Sequence, residues 1–554
     1  MKRPILSELT LREKIGQTAA VAPYVINKKT NPHEFLKNNP YGIMWTAGFI
    51  KMDFVNMANE RIDNDNIDYD IDKKIRRFKM EADKYMKVPF LPATDAEGGV
   101  GYLFPFFEDV PSQQGRGAAR DLDMAEKAGR CIGKSGRAAG TYWLWGPTAD
   151  NPSPFNCVLN VRAFSSDPEL SSDMIRATVI GMQAEGVAAT LKHFPGADKY
   201  EYRDSHFSEM AINDDFDTWY NRQGVIFEAG IKEGALSVMI QHASFPAVDD
   251  GLIDGRPTPA TLSRKIVTGL LKEQMGFKGV VVTDAVNMGA LMGMYRSKED
   301  FYVALYNAGN DVILGPVDED FIDIVENAVK NGKIPEERID DACTRVLDMK
   351  EKLGMFDETV TDVPDDIRKA IADETRALNE EYVPKIITTI ANRDGLVPVN
   401  KENIKRVAMI YLGYNQTALS RLKCLKEDFA ERGAELTIYD GIKDLNEIID
   451  INNNSDLIIY VSHLSPHSPK GFTSYYEDKV MQLLYVFHVG REKSIVISTG
   501  SMFVHHDWFP SAATAFSLYS PAEFMLKGFV KGLYGECEFT GVPPFDPNPL
   551  APRV

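Results

Sequence analysis

Asp284 ends the run GVVVTD, in which strand-like apolar sequence finishes in a carboxylate. A carboxylate so placed can be a nucleophile, a general base, a metal ligand or the N-cap of a following helix. A second group lies in TLKHFPGADKYEYRDSHF, which carries Lys192, His193, Asp204 and His206. Lys192 and His193 end an apolar run, and two cation-capable side chains suit a buried strand layer poorly. A hydroxyl-rich or anionic ligand hydrogen-bonded by both accounts for them better. Pro195-Gly196 then turns the chain into a polar loop with Asp204-Ser205-His206. An Asp two residues before a His can orient the imidazole and raise its basicity, so that the ring can donate a proton near neutrality. On its own, DSH also reads as a polar surface loop with an accidental His.

Other candidates are weaker one by one. Asp95 stands in TDAEGG with Glu97 two residues on. Arg162, in VLNVRAFSSDP, could fork onto ligand hydroxyls or a carboxylate, or pair with a nearby Asp. His242 ends an apolar run and reads as a hydrogen-bonded core histidine. His505-His506-Asp507 has no third ligand at metal-site spacing, so no metal is expected there. Lys192 could also form a Schiff base, but that reading leaves Asp284 and the DSH loop without work. A non-catalytic binding protein would have little reason to keep both a candidate nucleophile and an Asp–His pair.

These residues need elements that bring them together. Eight short apolar runs begin at Lys14, Tyr41, Val88, Thr141, Ala188, Ala235, Gly279 and Asp311, separated by longer helical-looking stretches. Strands alternating with helices imply parallel pairing with crossovers, and eight such units predict a (β/α)8 barrel. In each run the apolar residues come first and the polar cluster last: TDAEGG, PTADN, KHFPG, QHA, TDAVN. Since a barrel carries its site at the C-terminal ends of its strands, those clusters should converge on one rim. The barrel domain is predicted over residues 1–356, and an acidic linker and helix over 357–384. A smaller α/β sandwich follows over 385–554, with strands at VAMIYLG, ELTIYD, DLIIYVSH and SIVISTG.

The bulk properties agree with this organisation. A chain of 554 residues exceeds the roughly 250–300 at which one core stops growing. Its net charge of −18 argues against a general affinity for nucleic acid or anionic lipid. No run of membrane-spanning length occurs, and Glu8, Arg12, Glu13 and Lys14 interrupt any leader-like start. The five cysteines (Cys131, Cys157, Cys343, Cys424, Cys537) are scattered without CxxC spacing. A disulfide framework is therefore not expected, and a cytoplasmic location fits best.

Together the motifs resemble glycoside hydrolase family 3, in particular its β-N-acetylhexosaminidase branch. The resemblance is carried by KHFPG with the DSH that follows, by LSRKIVTGLLKEQMGFKGVVVTDAVNMGAL from Leu262 to Leu291, and more loosely by RAFSSDP and DAEGG. It spans nearly the first 355 residues. It implies a retaining, exo-acting release of a terminal β-linked N-acetylhexosamine, with Asp284 as nucleophile and His206, paired with Asp204, as acid/base. It also implies that Asp95, Arg162, Lys192 and His193 hold the sugar. TDAVNM, with Met288, is closer to the N-acetylhexosaminidase form than to that of β-glucosidases. The spacer ADKYEYR is one or two residues longer than the family pattern, and two departures bear on subsite polarity and leaving-group preference: Ala96 replaces the usual Gln, and VGYLF replaces the usual arginine. No metal or organic cofactor is indicated. The expected partner is a small saccharide, and a homodimer is compatible. Phosphorolysis and a β-glucosidase activity are the alternatives.

Overall fold

The computed structural model describes residues 1–21, 32–46, 68–151, 156, 159–316, 318–358, 360–464, 474–476, 478–486 and 490–546. Cys157, the end of the second apolar run (47–48) and residues 547–554 of the Pro-rich tail lie outside them. The chain forms two compact units. The first comprises Met1–Val110, Leu122–Asn151 and Ser171–Thr375, the second Pro111–Asp121, Pro152–Leu170 and Arg376–Val554. Two short segments from early in the chain thus pack with its later part.

The first unit is built on eight parallel strands: β1 (Ala19–Val21), β2 (Ile43–Trp45), β3 (Leu91–Asp95), β4 (Trp143–Trp145), β5 (Ala188–Phe194), β6 (Ser237–Ile240), β7 (Val280–Thr283) and β8 (Ile313–Leu314). Each falls in one of the eight apolar runs. Consecutive strands pair side by side, with registers such as Ile43 to Leu91, Trp143 to Ala188 and Ser237 to Val280. β8 pairs with β1 through Ala19 and Ile313, and a bridge from Val282 to Val312 brings it back to β7, closing the ring. The fold is a (β/α)8 barrel.

Local sequence explains why the strands form where they do. Val280, Val281 and Val282 are β-branched and fully buried, as suits a parallel strand covered on both faces. Gly279 admits the close approach of β6, since a Cβ there would lie 2.4 Å from the Leu236 carbonyl oxygen. The helix Lys298–Ala308 is capped by the Ser297 hydroxyl accepting the Asp300 N–H and ends at Gly309 in the left-handed region, φ 116°. The alternate pairs Leu91/Ala93, Trp143/Trp145, Val280/Val282 and Val312/Leu314 join one core cluster. Buried Lys350 ties the approaches to the first three strands. Its ammonium donates to Gln17 Oε1 (2.6 Å) and to the carbonyls of Gly42 (3.1 Å) and Pro89 (2.7 Å). Burial pushes its pKa down to about 7.

The second unit carries a six-stranded sheet: β9 (Thr388–Asn392), β10 (Arg406–Gly413), β11 (Glu435–Asp440), β12 (Leu457–His463), β13 (Ser494–Ser498) and β14 (Thr514–Ser517). Its order is β9-β14-β13-β12-β10-β11, parallel except for the edge pair β9–β14. The four strands expected from sequence are β10 to β13. The two additional ones lack the signal: β14 is the short TAFS, and β9 is a partly exposed edge without apolar alternation. Within this unit His505 is buried against the Phe516 carbonyl (3.1 Å). No helix among the described residues is long and apolar enough to cross a membrane.

Candidate active site

The polar groups that end the strands of the first unit meet at one rim. Asp95 ends β3, Lys192 and His193 lie near the end of β5, His242 stands two residues beyond β6, and Asp284 directly follows β7. Lys192, 1% exposed at its side chain, sits 2.8 Å from Asp95 Oδ1 and 2.8 Å from Glu97 Oε1. Held between two carboxylates, its amine is taken up by ion pairing, a poor start for a Schiff base. Asp150, five residues beyond the buried WLW of β4, accepts both the His193 N–H (3.0 Å) and Nδ1 of the same residue (2.8 Å) on one carboxylate oxygen. His193 is thereby fixed in orientation and tautomer, with Nδ1 carrying the proton.

The DSH loop repeats that arrangement. Asp204 Oδ1 accepts the His206 N–H (2.9 Å) and its Nδ1 (2.7 Å). The Asp204 side chain is 5% exposed and that of His206 26%, so the carboxylate is enclosed while the ring can reach a ligand and water. Asp284 N–H donates to the Ile240 carbonyl (2.7 Å), and Asp284 Oδ1 accepts the Ala285 N–H (2.7 Å). The next helical element is the short 3-10 turn Gly289–Leu291, with Met288 at its N-cap position. Asp284 is therefore no helix cap. Met288 is nearly buried and belongs to the barrel core cluster.

Electrostatics favour the charged form of Asp284. Burial acts to raise its pKa, but His193, His242, His206 and the Ala285 N–H outweigh burial and hold it below the ordinary value of 3.8. His242 is the hydrogen-bonded core histidine expected, with Nδ1 2.6 Å from Thr261 Oγ1 and Nε2 3.0 Å from the Ala285 carbonyl. Its burial lowers its own pKa, opposed by Asp284.

The structure brings together Asp95, Lys192, His193, Asp204, His206, Asp284 and Met288 within the first unit. Arg162 lies on the segment Pro152–Leu170 of the second. Sequence reasoning had not singled out Asp150 or the grip of Glu97 on Lys192. The signal for Asp150 was its place in PTADN, a polar cluster at a strand end. Glu97 was visible only as a neighbour of Asp95.

The family model described as "Glycosyl hydrolase family 3 N terminal domain" matches residues 10–349. A protein named β-N-acetylglucosaminidase/β-glucosidase, from Cellulomonas fimi, is 25% identical over 476 residues, covering 83% of this chain and 84% of that one. A protein named β-hexosaminidase, from Xylella fastidiosa, is 35% identical over 233 residues, 41% of this chain and 67% of that one. Among solved structures, one described as the β-glucoside phosphorylase BglX superposes with a TM-score of 0.84 at 24% identity, covering 98% of this chain and 94% of that one. The fold is shared throughout.

Proposed function

This chain belongs to glycoside hydrolase family 3, and from that premise we propose that it releases a terminal β-linked N-acetylhexosamine, N-acetylglucosamine foremost, through a covalent intermediate on Asp284. Membership and the named relatives make it a glycosidase. The finer reading rests chiefly on one observation, the enclosed Asp204 carboxylate that fixes the more open His206 ring. The sugar is supported by the TDAVNM motif and by the names of the relatives.

In the first step the Asp284 carboxylate attacks the anomeric carbon and the glycosidic C–O bond breaks. Protonated His206 gives its Nε2 proton to the leaving oxygen, which departs as a neutral alcohol. In the second step neutral His206 takes a proton from water, the oxygen bonds to the anomeric carbon, and Asp284 leaves as carboxylate. Most retaining enzymes use two carboxyl groups for this cycle; here an oriented imidazole takes the second part. The oxocarbenium-like transition state carries positive charge, which the anionic Asp284 stabilises. Asp95, Lys192 and His193 hold the sugar in this reading, with Met288 beside the nucleophile's turn.

The test compares nitrophenyl β-N-acetylglucosaminide with nitrophenyl β-glucoside. Faster turnover of the acetylated sugar is the expected result; a preference for the glucoside makes the enzyme a β-glucosidase, and failure on both ends the assignment. A second reading has its own observation, that the side chains whose charge lowers the Asp284 pKa are imidazoles. Once His206 has given up its proton it is neutral, so an anionic acceptor meets no repelling acid/base carboxylate. Phosphate could then displace Asp284 in place of water. Sugar 1-phosphate formed in phosphate buffer, with little free sugar in a non-nucleophilic one, would make the enzyme a phosphorylase.

The histidines set the acid limb of activity. A carboxyl titrates where imidazoles ordinarily carry a proton, so removing one cation raises the Asp284 pKa. Because Asp284 must be ionised to attack, His193→Gln is expected to move the acid limb of kcat/KM to higher pH, towards the ordinary Asp value of 3.8. Initial rates after brief pH jumps from neutrality read this directly. An unmoved limb would mean that His193 does not act on the nucleophile.

A further inference from the structure

The loop that carries Asp204 and His206 runs from Ala197 to Ile212, outside the regular strands and helices. Fixing each of its residues costs backbone entropy, so a pre-oriented acid/base needs something to hold the loop. Three sets of contacts do so. At its base the Ala197 carbonyl accepts from Gln223 Nε2 (2.9 Å) and Arg222 (2.7 Å), while buried Asp198 accepts the Asn213 N–H (2.7 Å). Between the arms, Glu201, 4% exposed, grips Arg203 through its N–H (2.9 Å), Nε (2.8 Å) and terminal nitrogen (2.6 Å). Oε2, which accepts from that terminal nitrogen, also reaches across to the Ala211 N–H (3.0 Å). Burial works to raise the Glu201 pKa, and Arg203 with the two N–H groups overrides it, so the carboxylate stays charged.

The third set joins the loop tip to the turn after the nucleophile. The Gly289 N–H donates to the His206 carbonyl (2.8 Å), and the Ala290 N–H to that of Ser205 (3.1 Å). A Cβ on Gly289 would lie 2.9 Å from the His206 carbonyl oxygen and from the Phe207 backbone, so the contact needs glycine. Glu201 lies in ADKYEYR, the spacer by which this chain departs from its family's pattern.

We infer that Glu201 and Gly289 are positioning residues for the acid/base: Glu201 locks the two arms of the loop, and Gly289 lets its tip dock on the nucleophile's own turn. The inference rests on His206 being the acid/base. Together the two contacts fix the spacing of His206 from Asp284 before substrate arrives. Misplacement by about 1 Å can cost on the order of 10²-fold in rate, so the clamp matters most where the leaving group needs its proton.

The experiment measures kcat/KM of the full chain and of Glu201→Gln, Gly289→Ala and His206→Ala on methyl and dinitrophenyl β-N-acetylglucosaminide, with thermal melts alongside. For Glu201→Gln and Gly289→Ala the methyl glycoside should lose about tenfold or more, part of the ~10²–10⁴ that acid–base help supplies. The dinitrophenyl glycoside should stay within about threefold, because its leaving group needs no proton. Equal losses on both substrates would mean general damage to the fold, and no loss on either would mean a loop that positions itself; each overturns the clamp. If Glu201→Gln does not fold, Gly289→Ala decides by the same split. A split in His206→Ala but in neither clamp variant overturns the clamp alone, whereas no split in His206→Ala overturns the acid/base role and the clamp with it.

Discussion

Asp284→Ala should lower kcat/KM for nitrophenyl β-N-acetylglucosaminide by on the order of 10⁴–10⁶-fold, the range seen when a hydrolase loses a member of its covalent machinery. The proposed cycle has no second carboxylate to take over. Asp95 and Glu97 are engaged by Lys192, and Asp150 and Asp204 each hold an imidazole. The loss should fall on chemistry rather than on folding, because Asp284 caps no helix and forms no ion pair among the described residues with Lys or Arg. Initial rates beside far-UV circular dichroism and a thermal melt would separate the two. A folded variant that keeps activity within about tenfold of the parent would remove Asp284 from the nucleophile's role.

The second large effect concerns His206. Its replacement by Ala should cost roughly 10²–10⁴-fold on a methyl glycoside, whose alkoxide cannot leave without a proton. On the nitrophenyl sugar the loss should be much smaller, since a nitrophenolate departs unaided. Asp204→Asn is the sharper variant, because it preserves the shape of the pair and removes the charge. The carboxylate oxygen that accepts both the N–H and Nδ1 of His206 holds the imidazole with Nε2 outward. An amide could present its NH₂ there and favour the other tautomer, and loss of such an orienting carboxylate can reach about 10⁴-fold. Equal losses for His206→Ala on the two leaving groups would show that the ring does something other than deliver a proton.

The barrel and the types of residue at its rim were legible from sequence because both are local signals. GVVVTD announces itself by β-branched residues buried on both faces and then a carboxylate. The KHFPG and DSH segments bring chemical groups at fixed spacing, whatever the rest of the chain does. The same reasoning found four of the six strands in the second sheet and missed TAFS and the edge strand Thr388–Asn392. Those two are held by neighbours rather than by an apolar pattern of their own.

What sequence could not supply was pairing over distance. Asp150 lies 43 residues from His193, and Glu97 shares Lys192 with Asp95 from the end of another strand. No local pattern links them; parallel strands bring their C-terminal ends together, and the partners follow from that closure. The likewise non-local dock of Gly289 on His206 sets two loops against each other through backbone atoms, which side-chain identity scarcely records. The grouping of Pro111–Asp121 and Pro152–Leu170 with the second unit is of the same kind. Sequence alone determined which strands form the barrel and which reactive groups end them, because backbone preference and residue chemistry act over a few positions. Which of those groups meet, and which carboxylate holds which imidazole, was decided only by the closed path of the chain.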